Sequence, residues 1–167
     1  MRTMTKQTMY LMIVSILMLV AIESVANELP IYRQATIVER TSATDFLIEA
    51  TGVYNSIETR ERRIDRDLSD NGVREGTKDA KKSAVWYLLS GSTDPMLNTP
   101  QAQRNFRPHE AYFYDLYNID NYWITWEQNG LVRRLRTPEG NGLLITKRFR
   151  LNPERLREDL VRLNIIK

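Results

Sequence analysis

A chain of 167 residues with a net charge of +3, no cysteine and a single histidine excludes several classes at once. Without cysteine there is no disulfide framework, no thiol nucleophile and no thiolate-ligated metal site. The charge excess is too small to demand nucleic acid as a partner, in spite of a pI near 9.2.

The first residues read as an address. Arg2 and Lys6 precede an apolar run from Tyr10 to Ile22, broken only by Ser15, and Ser24-Val25-Ala26 sets small residues where a signal peptidase cuts. A signal peptide over 1–26 is expected, with an exported chain beginning at Asn27. The run falls short of the ~20 residues a membrane-spanning helix needs, so no transmembrane span is expected after cleavage; an uncleaved N-terminal anchor is the competing reading. What remains is long enough for one domain with its own core.

Residues 27–44 read as an extended lead-in with a short strand option at Ala35-Thr36-Ile37-Val38, and 45–167 as a single domain. Asp45 to Ser56 alternates as a strand, with Leu47, Glu49, Thr51 and Val53 on one face and Phe46, Ile48, Ala50, Gly52 and Tyr54 on the other. Gly52 marks a bulge or the close approach of another backbone. Residues 57–76 mix acidic and basic side chains and read as a solvated loop or a short exposed helix ended by Asn71-Gly72.

Lys78 to Leu89 forms the organising helix. Ala80, Ala84, Val85, Leu88 and Leu89 recur at helical spacing, Thr77 caps the first turn, Asp79 suits its positive end, and Gly91 ends the helix in a left-handed conformation. Asp94-Pro95 is a turn, and Thr99-Pro100 opens a short helix through Phe106. The aromatic stretch Glu110 to Tyr117 reads as a lid packed over the core, with a ligand-stacking surface as the alternative.

Tyr122 to Gln128 alternates as a strand, Asn129-Gly130 signals a two-residue hairpin, and Leu131 to Arg136 returns. Pro138 to Gly142 is a second turn. Leu143, Ile145, Phe149 and Leu151 share one face of the last strand, interrupted by Lys147. Asn152-Pro153 caps a final helix with Leu156, Leu160 and Leu163 as its buried stripe, followed by Ile165 and Ile166. The plan is a two-layer α+β domain: a strand, a long helix, a three-strand antiparallel meander and a C-terminal helix, both helices on one face of the sheet.

Candidate chemistry is sparse. His109 stands beside Glu110 without the three or four converging ligands of a metal site, and neither Ser90 nor Ser92 sits on a nucleophile elbow. Gly72 and Gly76 lack the lysine-threonine ending of a phosphate loop. Asp65 with Asp67, Asp79 with Asp94, and Asp115 with Asp120 are the carboxylate pairs that an exported hydrolase would use, although turns, caps and solvation account for each. No cofactor or metal is implied. Simple alternation puts Arg134, Arg136, Arg148 and Arg150 on one face of the C-terminal hairpin, either guarding an edge or binding an anionic envelope polymer.

Three segments in order carry a resemblance: the strand ending ATG (Ala50 to Gly52), the helix DAKKSAVWYLL (Asp79 to Leu89) and the terminal RFRLNPERLREDLVRLNII (Arg148 to Ile166). Together the chain resembles the small exported α/β domains of the flagellar assembly protein T family and their relatives among outer-membrane lipoproteins. The long charged stretch 57–76 departs from the short, glycine-rich family connection, and the lipobox cysteine of the lipoproteins is missing. The resemblance implies a non-enzymatic protein of the periplasm or outer membrane that joins envelope proteins in a larger, flagellum-like surface structure. It transfers no catalytic residue.

Overall fold

The computed structural model describes residues 29–56, 71–137 and 140–167. The expected signal peptide and most of the charged stretch therefore lie outside the described residues. A four-stranded antiparallel sheet of order β1-β2-β4-β3 is built from Gln34–Ser42 (β1), Asp45–Ser56 (β2), Ile124–Thr137 (β3) and Gly140–Leu151 (β4). Helices Gly72–Trp86 (α1), Pro100–Phe106 (α2) and Pro153–Arg162 (α3) accompany it. The fold is α+β, as expected.

Within that class the strands are distributed differently. The lead-in is a true strand, β1, paired along β2 from Gln34↔Thr51 to Ser42↔Asp45. Segments 124–128 and 131–136 are one strand, because Asn129-Gly130 makes a bulge in the ladder rather than a hairpin. A Cβ on Gly130 would lie 1.7 Å from the Thr146 carbonyl oxygen, so the bulge needs glycine to press against β4. Tyr122 and Trp123 precede β3, in a π-helical turn over Ile119–Trp123. The meander thus becomes two hairpins joined through β2 and β4.

The organising helix also starts a turn and a half earlier than its pattern suggests. Gly72 opens α1 instead of closing an arm, and the Thr77 hydroxyl donates to the Val73 carbonyl at 2.7 Å from inside the helix. The early start follows from contact: a Cβ on Gly52 would meet the Gly76 carbonyl oxygen at 2.1 Å and the Ala80 nitrogen at 2.2 Å. Strand and helix backbones touch there, and small residues on both sides allow it. Gly91 is not left-handed. The chain leaves through a π-helical turn over Tyr87–Gly91, and the Trp86 ring lies where a Gly91 side chain would sit.

Caps at the other helices follow the sequence. Thr99 accepts from the Ala102 N–H, and Asn152 accepts from the Arg155 N–H, each with proline at the next position. Asn164, at φ 56°, supplies the left-handed residue that ends α3 and returns Ile165 to the core.

One core joins the helices to the sheet. Ile48, Ala50, Phe149 and Leu151 from β2 and β4 meet Ala84 and Val85 of α1, Leu89 of the π-helical turn after it, and Leu156 and Leu160 of α3. The aromatic lid closes one end, where Phe113 stacks on the fully buried Trp123 at 5.5 Å between ring centres. The Trp123 indole N–H and the Tyr112 hydroxyl both donate to Asp159 of α3, at 3.0 and 3.2 Å. A second, smaller cluster holds Leu143 and Ile145. Between the two stands Lys147: it reaches Glu127, which also accepts from Lys81 of α1, and Lys81 in turn pairs with Asp120 at 2.8 Å.

Candidate functional site

Asp79 is the most enclosed of the carboxylates considered from sequence. It lies in the middle of α1, not at its N-terminus, and is buried against the sheet. Its two oxygens accept from the Ile31 N–H at 2.7 Å and the Val53 N–H at 2.8 Å. Thus the side chain satisfies backbone donors just past the point where β1 ceases to pair with β2. Burial pushes its pKa up, against the pull of the Ile31, Val53 and Tyr32 amides and of Lys82. Every oxygen of this carboxylate is committed to the backbone, and its expected mate Asp94 is exposed beyond the far end of the helix.

The other pairs are also apart in role. Asp115 accepts from the Tyr117 N–H, while Asp120 holds Lys81; Asp65 and Asp67 lie outside the described residues. His109 sits in a short 3-10 turn over Arg107–His109, with no hydrogen-bond partner among the described residues. Among the described residues, no three His, Asp or Glu side chains gather to hold a metal ion. No helix among them is long and apolar enough to cross a membrane.

The four arginines do not share a face. Arg148 and Arg150 stand on the side of β4 away from Leu143, Ile145, Phe149 and Leu151, whereas Arg134 is registered with Leu143 and so takes the opposite side. Arg136 holds the register position opposite Asn141. The physical cause is the Asn129-Gly130 bulge, which adds a residue to β3 and inverts which positions beyond it face each way. Arg133 joins the Arg148 side in place of Arg134. Both grouped arginines are already occupied: Arg148 pairs with Glu49 at 2.9 Å, and Arg150 with Asp45 at 2.5 Å while stacking over Trp126.

No helix among the described residues covers this side of the sheet. A trough of about 660 Å³ runs there between β3 and β1 across β4 and β2, with the bulge residues Asn129 and Gly130 on its lining. Its floor is the Thr51–Thr146 hydroxyl pair at 2.9 Å, beside the Glu49–Arg148 ion pair. Gln34, Gln128 and Asn129 line its walls, with Tyr32 at one rim and Arg133 at the other. Sequence reading passes over these amides because it treats Asn129-Gly130 as a hairpin tip. The pattern of 131–136 does not separate a bulged strand from a returning one, because both have a period of two.

The outer edge of β3 is the second open feature. This 14-residue strand is the last in the sheet, and Leu131 and Val132 are 52 % and 44 % exposed on its two faces. Trp126 and Tyr122 stand exposed at its start.

Comparison of the chain with family models, with curated proteins and with solved structures finds no match.

Proposed function

We propose that the protein is an exported, non-enzymatic module of the cell envelope that assembles with a protein of a larger surface structure through the edge of β3. The carrying observation is the open outer strand with exposed apolar side chains on both faces, since unpaired N–H and C=O groups beside Leu131 and Val132 form a template for another chain's strand. Export is supported by the apolar run and the small-residue cleavage pattern at the N-terminus. A flagellum-like structure is supported only by the resemblance of the ordered segments. An anionic-polymer module draws no support from the hairpin arginines, because the bulge separates them and carboxylates neutralise Arg148 and Arg150.

The test places a photo-crosslinking residue at Leu131 or, as a control, at exposed Glu158 on α3, in cells that express the whole chain. The expected result is an envelope-fraction adduct of defined mass from Leu131 and none from Glu158, with 1–26 removed by mass spectrometry. Retention of the uncleaved chain in the cytoplasm, or equal adducts from both positions, refutes it.

A further inference from the structure

We infer that the trough on the helix-free face is a binding site for an uncharged, polyhydroxylated chain, a neutral glycan segment. This reading stands apart from assembly through the β3 edge, because the trough draws on β1, β2 and β4 as well. Its volume of about 660 Å³ lies within the range of ligand sites and far exceeds a single side chain's socket.

The charges argue for a neutral occupant. Glu49 and Arg148 pair at 2.9 Å in the trough, so their charges cancel and leave no net field there to attract an ionic ligand. Lys147 is held by Glu127 on the other side of the sheet. Among the described residues only Arg133, on the rim, brings a charge to the trough without an ionic partner.

The hydrogen-bonding groups argue for hydroxyls. The side-chain amides of Gln34, Gln128 and Asn129 have no hydrogen-bond partner among the described residues, and each offers two donors and an acceptor. A sugar hydroxyl both donates and accepts, and so matches an amide in either orientation. Tyr32, 42 % exposed at the rim of the trough, presents a ring to the C–H face of a sugar.

The experiment is an amide-resolved NMR titration of the full chain with cellohexaose and chitohexaose, both uncharged, and with polygalacturonate as the anionic probe. At least one uncharged probe is expected to shift the amides of Gln34, Thr51, Thr146 and the 128–131 bulge. Its affinity should change less than about twofold between about 50 and 500 mM salt. Gln34→Ala with Gln128→Ala should weaken it at least tenfold with unchanged Tm, whereas Arg133→Gln should leave it within about threefold. Should the double variant unfold, Asn129→Ala alone takes its place. The inference is overturned if neither uncharged probe moves these amides at about 10 mM, roughly the weakest binding worth the name. It is equally overturned if polygalacturonate binds alone and is lost with salt or with Arg133→Gln, or if the shifts map only to the β3 edge, which marks a protein groove instead.

Discussion

Removing the Asp79 carboxylate tests the most unusual joint in the fold. In Asp79→Ala the buried Val53 N–H loses its acceptor, and the part-buried Ile31 N–H loses another. A buried donor left unsatisfied costs about 1–3 kcal/mol. The Val53 loss falls at the upper end of that range and the Ile31 loss at the lower, since Ile31 is 67 % exposed and water can replace the carboxylate there. Relief of the cost of burying a charge offsets part of this, leaving a net loss of about 2–3 kcal/mol. With a urea dependence of about 1.5–2 kcal/mol per molar, the unfolding midpoint should drop by about 1–2 M, read from the fluorescence of the buried Trp123. Asp79→Asn keeps one carbonyl acceptor and should lose less. Because burial raises the folded-state pKa of Asp79, its contribution is full below the ordinary value of 3.8 and is lost as pH rises through the raised value. The stability gap between the native protein and Asp79→Asn should therefore narrow from acid toward neutral pH. A loss under about 0.5 kcal/mol for Asp79→Ala, within ordinary surface variation, or a gap that widens with pH, refutes the assignment.

Gly52→Ala should destabilise by about 3 kcal/mol or more, because its methyl group meets backbone atoms of Gly76 and Ala80 that no rotamer change can move; calorimetry should show a fall in Tm with the sheet–helix contact opened. Gly130→Ala should perturb amide shifts along Thr146 and Lys147, which its Cβ would strike, while those of β1 stay in place. For Glu127, burial raises the pKa but hydrogen bonds from Lys147 and Lys81 outweigh it and hold the carboxyl low. Its contribution is present above the ordinary value of 4.5 and lost as pH falls through the lowered value, so the Tm difference between the native protein and Glu127→Gln should shrink on acidification below that range. Leu160→Ala, at a fully buried position shared by α3 and the sheet, should cost about 2–5 kcal/mol in urea unfolding.

Local chemistry was legible at the two Asx/Thr-Pro helix starts and along the last strand. Thr99-Pro100 and Asn152-Pro153 cap their helices because capping is a contact over three residues. The alternation of Leu143, Ile145, Phe149 and Leu151 marks the buried face because a strand's period of two needs no partner to be read. Gly52 announced a close backbone approach, though not which backbone.

From the sequence alone follow the α+β class, the Thr99 and Asn152 caps, the buried strand faces and the lack of thiol chemistry, since each is set by covalent identity and short-range periodicity. Tertiary structure decided the rest. Whether Asn129-Gly130 turns the chain or merely bulges depends on which strand lies beside it, and here β4 pressed against Gly130 keeps β3 running. That one extra residue sends Arg134 to one side and Arg133 to the other, and so separates the expected arginine cluster. Asp79, likewise, is an ordinary helix residue until β1 stops short and leaves backbone donors for it to satisfy. Register and edge pairing are agreements between distant segments, and no window of adjacent residues contains both parties.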